Sequence, residues 1–175
     1  MTSVGIHCLF VEELDAHADA LAEIMAETVQ DGAAVGYMQP FSRADGLAFF
    51  NEQVFPEVRA GRRRLLVARL DGKTVGSVQL ITALPVNQPH RCEVAKMMVH
   101  PSARRKGIGR ALMHALDAEA RAAGKTLVTL DTKTGDKAEP LYKATGYRTA
   151  GVIPGYALDP DGKAQHATTY MYKTL

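Results

Sequence analysis

The segment VHPSARRKGIGRALMHALDAEARAAG, residues 99–124, decides the fold class that the sequence predicts. Its first half combines positive charge with backbone freedom, in Arg104, Arg105, Lys106, Gly107, Gly109 and Arg110. Apolar residues then recur at helical spacing, in Ile108, Leu112, Ala115 and Leu116. The preceding apolar run, 92–99, predicts a strand that Pro101 stops. The segment therefore predicts a strand, a basic glycine-containing turn and an amphipathic helix.

A basic, glycine-containing helix start is typical of a pyrophosphate site. The first N–H groups of a helix are unpaired and carry a partial positive charge. Glycines allow the backbone to approach a ligand closely, and arginines add bidentate donors. The spacing matches neither G-x-x-x-x-G-K-[ST] nor G-x-G-x-x-G, so it supports neither a nucleotide P-loop nor a dinucleotide motif. The alternative is a solvated, well-capped helix start without a ligand.

Composition restricts the class of protein. A length of 175 residues suits one compact domain, which we place at 1–175. A net charge of +2 is too small for a general nucleic-acid binder, and no apolar run is long enough to span a membrane. The first residues lack the charged region of a signal peptide, so we expect a cytoplasmic protein. Cys8 and Cys92 are expected as free thiols, and no cysteine or histidine spacing predicts a metal site.

Periodicity predicts the order β-α-α-β-β-β-α-β-α-β-β. The clearest signals are a helix over 14–29, a capping box at Ser42 and Asp45, and a hairpin turn at Asp71–Gly72. Strand signals also cover 5–11 and 125–131. The strand, helix, strand order in the middle of the chain implies a right-handed parallel crossover. The sequence is therefore expected to form an α/β fold around one sheet.

Two landmarks resemble those of the GNAT (Gcn5-related) N-acetyltransferases. The stretch MMVHPSARRKGIGRALM, 97–113, is similar to the family's motif R/Q-x-x-G-x-G/A, with Arg104, Gly107 and Gly109 at its defining positions. The stretch LYKATGY, 141–147, is similar to a second landmark, in which a tyrosine is followed by glycine and an aromatic residue. The resemblance implies a mixed, mostly antiparallel sheet that is splayed between its fourth and fifth strands and flanked by four helices.

The resemblance also implies acetyl-CoA as co-substrate. In this family the pantetheine pairs with the open backbone edge of the fourth strand, and the pyrophosphate lies on the amides of the following loop. The residues that correspond here are Met97, Met98, Val99, Arg104, Arg105, Lys106, Gly107, Ile108, Gly109 and Arg110. The same strand is equally expected to pack its apolar side chains in the core. Both roles are compatible, because the ligand uses backbone groups.

The candidate catalytic residues are Tyr142, Glu93 and Asp131. Tyr142 matches the tyrosine that acts as general acid in the family, and a backbone N–H near Met97 or Met98 matches its oxyanion donor. By strand parity, Glu93 shares a face with Met97, at about 13 Å along the strand, so that a water relay is easier to accept than direct contact. Asp131 at the end of a strand is placed to bind or deprotonate a substrate ammonium.

Each of these residues also has a purely structural interpretation. Tyr142 could pack on the sheet as part of an amphipathic helix. Either carboxylate could form a surface ion pair with Lys96 or Lys133. Many members of the family carry an asparagine seven residues before the tyrosine, where this chain has Gly135.

The acceptor site is predicted at the loop 31–40. Gly36, Tyr37 and Met38 would line a small pocket there, or fill the core beneath the loop. A covering loop favours transfer of acetyl to the primary amine of a small molecule. The alternatives are acetylation of a protein N-terminus or lysine, and a non-catalytic acetyl-CoA sensor. We expect a monomer or homodimer.

Three further segments resemble a particular branch of the family. They are ETVQDGAAVGYMQP (27–40), LDTKTGDKAEPLY (130–142) and IPGYALDPDG (153–162). Members of that branch acetylate the amine of a β-lactam-containing amino-acid toxin. This resemblance predicts a toxin or antibiotic as the acceptor and a role in resistance.

Overall fold

The computed structural model describes residues 4–175, so the first three residues of the predicted domain lie outside the description. The strands are β1 (Val4–Cys8), β2 (Arg63–Leu70), β3 (Lys73–Ile81), β4 (Arg91–Val99), β5 (Leu127–Lys133), β6 (Arg148–Leu158) and β7 (Gln165–Thr174). The helices are α1 (Leu14–Gln30), α2 (Arg43–Phe49), α3 (Phe55–Arg59), α4 (Ile108–Ala122) and α5 (Ala138–Ala144). A π-helical turn, Phe50–Val54, joins α2 to α3 without a break, so the described chain has four continuous helical segments, as predicted.

The strands form one sheet in the order β1-β2-β3-β4-β5-β7-β6. Every neighbouring pair is antiparallel except β4 and β5, which are parallel. Helix α4 makes the crossover between those two strands, as the strand, helix, strand order predicted. The expectation of a mixed, mostly antiparallel sheet is therefore confirmed.

The core lies in two layers, one on each face of the sheet. Successive side chains of β2 belong to different layers. Leu66 and Ala68 pack in the layer under α4, whereas Leu65 and Val67 pack in the layer under α1 and the α2–α3 segment. Strand side chains alternate between faces, so a continuous apolar run is what a strand covered on both faces requires. The apolar run in β2 thus has a physical cause in this double covering.

Local signals account for several boundaries. The hairpin prediction is confirmed, because Asp71 and Gly72 connect β2 to β3 with φ angles of 50° and 80°. The capping box is also confirmed, since the Ser42 hydroxyl accepts a hydrogen bond of 3.2 Å from the Asp45 amide. The first strand is shorter than predicted and ends at Cys8, because a 3₁₀ turn begins at Val11. Both cysteines are free, as expected.

Candidate active site

The sheet parts between β4 and β5. These two strands are paired only at 91–93 and 127–129, and β4 has no β5 partner beyond Glu93. Both strands keep their other neighbours, β3 and β7, so the gap lies inside an otherwise continuous sheet. The predicted splay is therefore present, and it leaves one backbone edge of β4 open.

A cleft of about 880 Å³ occupies this gap. Its walls are the outer half of β4, the end of β5, the loop before α4, the start of α5 and the loop 31–36. The candidate catalytic residues Glu93, Asp131 and Tyr142 all line it. Of the ten residues predicted to hold the cofactor, all but Lys106 line it as well. The fold therefore brings together residues that lie far apart in sequence.

The loop before α4 is shaped by residues with positive φ. Gly107 precedes the first helical residue with φ 76°, and Arg105 has φ 65°. A Cβ atom on Gly107 would meet nothing within 4 Å, so the backbone here is open to the cleft. Arg105 and Arg110 line the cleft, and neither forms an ion pair with a carboxylate of residues 4–175. Their charge is therefore available to an anion beside the helix N-terminus.

Arg104 is held by the protein itself. Its Nε donates a 3.1 Å hydrogen bond to the Val99 carbonyl, and its Nη1 forms an ion pair with Asp31 at the end of α1. This guanidinium holds the pKa of Asp31 below its usual range, mainly through the hydrogen bond. Arg104 therefore joins the loop to the end of β4 and to α1.

Tyr142 is buried in α5 and reaches the cleft. Burial raises its pKa, and the negative charges of Asp131 and Asp136 raise it further. The phenol therefore stays protonated at neutral pH. The ring also packs against Tyr147, at 6.0 Å between centroids, so the structural interpretation is confirmed, and the role as an acid stays a prediction.

The two candidate carboxylates have different partners from those expected. Glu93 lies 3.3 Å from Arg91, on its own strand, instead of pairing with Lys96 or Lys133. Asp131 accepts a 3.0 Å hydrogen bond from the Thr168 hydroxyl of β7 and is exposed to the cleft. Lys133, the other expected partner, forms its ion pair with Asp159. The ion-pair alternative therefore holds for Glu93, with Arg91 as partner in place of a lysine, and Asp131 forms no ion pair within residues 4–175. Both carboxylates line the cleft.

The comparisons with known proteins agree on one family. A family model described as "Acetyltransferase (GNAT) domain" matches residues 61–149. An uncharacterized N-acetyltransferase from the hisH-hisA intergenic region of Azospirillum brasilense is 32% identical over 123 residues, which are 69% of this chain and 70% of that protein. The chain belongs to the GNAT acetyltransferase family. It is therefore an enzyme, an acyltransferase.

Solved structures show the same fold for this GNAT acetyltransferase. A ribosomal-protein-alanine N-acetyltransferase from Brucella melitensis has a TM-score of 0.80 at 22% identity, with 98% of this chain and 99% of that one covered. The structure of yncA from Salmonella typhimurium, which includes its cofactor acetyl-CoA, has a TM-score of 0.78 at 20% identity, with 98% and 94% covered. The expectation of acetyl-CoA as co-substrate agrees with the family and with that neighbour.

Another sequence relative matches a shorter part of the GNAT acetyltransferase. A mycothiol acetyltransferase from Thermomonospora curvata is 42% identical over 80 residues, 46% of this chain and 26% of that protein. No helix between residues 4 and 175 has both the length and the hydropathy that a membrane span requires. Within the same residues, no group of three or more His, Cys, Asp or Glu side chains could hold a metal ion. The cytoplasmic location and the oligomeric state stay predictions.

The prediction that Glu93 and Met97 share a face is wrong. Ser77 of β3 pairs with Met98, and Gln79 pairs with Ala95, so two β4 residues, Lys96 and Met97, lie opposite the single residue between them. This is a β-bulge, and Lys96 takes the φ of 49° that it requires. One extra residue moves every later side chain to the other face. Accordingly, Met97 packs with the α4 layer and Met98 with the α1 layer.

The predicted acceptor loop meets the cleft through its first half. Gly36 lines the cleft and has φ 84°. Tyr37 and Met38 lie outside the lining: the Tyr37 ring packs edge-on against Phe41 and Phe49, at 5.0 and 5.5 Å between centroids, and Met38 is exposed. Residues 31–36 of the loop therefore form part of the cleft wall, whereas the Tyr37 ring packs in an aromatic cluster outside the lining.

Lys96 is the residue in the cleft that sequence reasoning gave no function. Its ammonium donates a 2.7 Å hydrogen bond to the Val35 carbonyl and lies 5.5 and 6.0 Å from the ring centroids of Tyr37 and Phe49. Burial lowers its pKa, and the positive charge of Arg63 lowers it further. The available signal was a lone lysine within the otherwise apolar run VAKMMV. In a regular strand without the bulge, alternation of side chains would place Lys96 on the other face of the sheet, so the sequence pattern gave no reason to assign it to the site.

Proposed function

We propose that this protein transfers an acetyl group from acetyl-CoA to the primary amine of a small molecule by direct attack. The observation that carries the proposal is the continuity of one cleft. The basic loop before α4, the open edge of β4, Tyr142 and Asp131 all line it. Residues suited to phosphate binding and residues suited to proton transfer thus line the same cleft. We propose that residues 1–175 form one domain that carries this activity.

The residues present fit acetyl-CoA. The open Cβ position at Gly107 and the unpaired charges of Arg105 and Arg110 suit a pyrophosphate at the N-terminus of α4. The unpaired edge of β4 at 97–99 offers backbone groups to an extended amide-containing arm, as a neighbouring strand would. Lys106 lies outside the cleft lining, and any contribution from it is electrostatic.

The chain supplies an acid for the leaving group. Acetyl-CoA provides an electrophilic thioester carbonyl with a thiolate as leaving group. When the C–S bond breaks and the C–N bond forms, Tyr142 is the group that gives a proton to the sulfur, and its raised pKa keeps that proton in place until then. A backbone N–H near Met97 or Met98 is our candidate donor to the negative charge that develops on the carbonyl oxygen.

The acceptor nitrogen must lose protons, and two carboxylates are available. Asp131 is exposed to the cleft and is fixed by Thr168, which suits a group that binds an ammonium. Glu93 lies where β4 and β5 separate, and its face differs from that of Met97. A water relay is therefore the route by which Glu93 would accept a proton. We assign substrate binding to Asp131 and keep Glu93 as the candidate base.

The acceptor that we favour is an amino-acid-like toxin or antibiotic. The segments 27–40, 130–142 and 153–162 resemble the tabtoxin resistance protein, which acetylates such a toxin. In support, residues 31–36 line a cleft of about 880 Å³, a volume within the range of small-molecule sites. A protein acceptor is the second candidate, because the Brucella melitensis neighbour is a ribosomal-protein-alanine N-acetyltransferase.

A thiol-release assay tests the proposal. Purified protein would be incubated with acetyl-CoA and a panel of free amino acids, simple amines and short peptides. We expect release of CoA thiol with small amines and little with peptides. Absence of CoA binding by calorimetry, together with no release for any acceptor, would contradict the proposal; a preference for peptides would favour the second candidate.

A further inference from the structure

A partly buried cation without a carboxylate partner lies in the acceptor part of the cleft. The Lys96 ammonium has one hydrogen-bond acceptor, the Val35 carbonyl, and no Asp or Glu oxygen of residues 4–175 lies within 4.0 Å of it. Two other partly buried lysines have carboxylate partners: Lys173 and Lys133 lie 2.5 Å from Asp117 and Asp159 respectively. Lys125 has no such partner, and its ammonium donates instead to two carbonyl oxygens, those of Thr82 and Pro89. Among these four lysines, Lys96 is the one with neither a carboxylate partner nor a second hydrogen-bond acceptor.

The charges around Lys96 are mixed: Arg63 adds positive charge, and Asp131 adds negative charge without forming an ion pair. Arg63 of β2 acts on Lys96 electrostatically, and it also has no carboxylate partner. Its guanidinium donates to Gln79, while its Nε is buried without a hydrogen-bond partner. Two neighbouring cations with so few acceptors are costly in a protein interior, unless an anion joins them when the site is filled.

The backbone holds the ammonium in this place. Lys96 is directed by the bulge in β4, which gives it a φ of 49°. A Cβ on Gly36 would lie 3.3 Å from the Lys96 nitrogen, so the loop passes directly over it. The rings of Tyr37 and Phe49 favour a cation at this position. These contacts fix a positive charge at one side of the cleft, while Asp131 and Glu93 supply negative charge to the same cleft.

We infer that Lys96 binds the carboxylate of the acceptor, and hence that the acceptor class is amino acids and amino-acid-like compounds. The inference rests on the proposed acetyl transfer and names its substrate class. An acceptor that carries both an amine and a carboxylate matches the two charges of the cleft: its ammonium faces Asp131 and its carboxylate faces Lys96. Lys96 is in this sense a specificity-determining residue, and it takes no part in bond formation.

Matched acceptor pairs test the inference in the intact protein. The probes are L-leucine with its decarboxylated analogue isoamylamine, and L-lysine with cadaverine. The variant Lys96→Met removes the charge and keeps an unbranched side chain. The control Lys73→Met changes an exposed lysine at the start of β3, outside the cleft. For each enzyme, the ratio of kcat/KM for the carboxylate-bearing acceptor to that for its analogue is measured. The ratio for each variant is then divided by the wild-type ratio, which cancels the difference in amine pKa between the two acceptors.

We expect Lys96→Met to lower this ratio by about 10- to 100-fold, chiefly through KM, as loss of a charge-assisted hydrogen bond implies. The Lys73→Met control should leave the ratio unchanged. Binding of L-leucine to the enzyme–CoA complex, measured by calorimetry, should weaken in parallel. Unchanged CoA affinity and thermal unfolding would show that the variant is folded.

The other outcomes each have a meaning. An equal loss for both members of a pair, recovered at higher pH, would make Lys96 a base and overturn the inference. An unchanged ratio in the variant would overturn it as well. If the wild-type enzyme acetylates no amine at all, the proposed function itself fails. If it acetylates both members of each pair equally well, the proposed function stands and the inference about Lys96 is overturned.

Discussion

Gly109 of α4 and Leu141 of α5 are in direct contact: a Cβ atom on Gly109 would lie 2.9 Å from Cδ2 of Leu141. This contact joins the cofactor loop to the helix that carries Tyr142. We expect Gly109→Ala to displace Leu141 and, with it, Tyr142, and to lower kcat by roughly 10-fold, since small misplacements of reacting groups are costly.

The double variant Gly109→Ala/Leu141→Ala provides the control. Removal of the Leu141 side chain makes room for the new methyl group, so the effect of Gly109→Ala on kcat should nearly vanish in that background. Kinetics of the four combinations measure this coupling. Simple additivity of the two effects would show that the contact does not set the position of Tyr142.

The charge at Gly107 should control cofactor affinity. Asp and Asn both tolerate positive φ, and the free space around Gly107 accepts either side chain. Gly107→Asp adds a negative charge beside the proposed pyrophosphate position, whereas Gly107→Asn does not. We expect the Kd for CoA, measured by calorimetry, to be at least about 10-fold higher for Asp than for Asn, with a smaller difference at high salt. Equal affinities would place the pyrophosphate elsewhere.

Tyr142→Phe should separate acid catalysis from binding. Loss of the phenolic proton is expected to lower kcat by about 100-fold or more, while CoA affinity stays the same. Because the pKa of Tyr142 is raised, the wild-type phenol keeps its proton as pH rises through the usual tyrosine range, so kcat should show no loss from tyrosine ionisation at or below pH 10. Stopped-assay pH profiles check both points.

Tyr147→Phe is the matched control for Tyr142→Phe. The Tyr147 hydroxyl donates a 3.3 Å hydrogen bond to Asp117 in the core, and the residue does not line the cleft. Its loss should reduce the free energy of unfolding by about 1 kcal/mol and leave kcat nearly unchanged. If both tyrosine variants lose the same activity, the effect of Tyr142→Phe is one of packing.

Two isosteric substitutions distinguish the carboxylates. If Asp131 binds the acceptor ammonium, Asp131→Asn should mainly raise KM, because it removes an interaction common to the ground and transition states. The Asn side chain can still accept the hydrogen bond of Thr168, so the local structure is retained.

If Glu93 relays a proton, Glu93→Gln should lower kcat most at pH values below the pKa of the amine. At higher pH the free amine needs no base, and the rate should partly recover. The measurement is kcat and KM against pH for both variants. A pair of unchanged profiles would mean that neither carboxylate serves the reaction.

Much of the architecture follows from local sequence signals. The Asp71–Gly72 turn, the capping box at Ser42 and the glycine-rich start of α4 each specify a backbone conformation through their own residues. The parallel β4–β5 crossover follows from the strand, helix, strand order around α4. These features need no knowledge of distant contacts.

The details of the site depend on distant contacts, and local patterns do not contain them. At the bulge, one residue of β3 lies opposite Lys96 and Met97 of β4. This register depends on how the two strands pair and not on the local sequence of β4. The guanidinium of Arg104 forms an ion pair with Asp31, which is 73 positions away in sequence. Sequence reasoning therefore found most of the residues that meet in the cleft, but it wrongly included Lys106, Tyr37 and Met38, and it missed the partners of Arg104 and Lys96.

The three-pair junction between β4 and β5 gives neighbouring amides of one strand very different exchange behaviour. Amides of a central strand alternate between its two neighbours, so some in 94–99 have no strand to bond on the β5 side. Those amides should exchange with deuterium quickly in the free protein, while the amides bonded across to β3 and those at the junction exchange slowly. A cofactor that occupies the open edge would make the fast amides slow. Deuterium exchange of individual amides in 94–99 therefore reports whether a cofactor occupies the gap in the sheet.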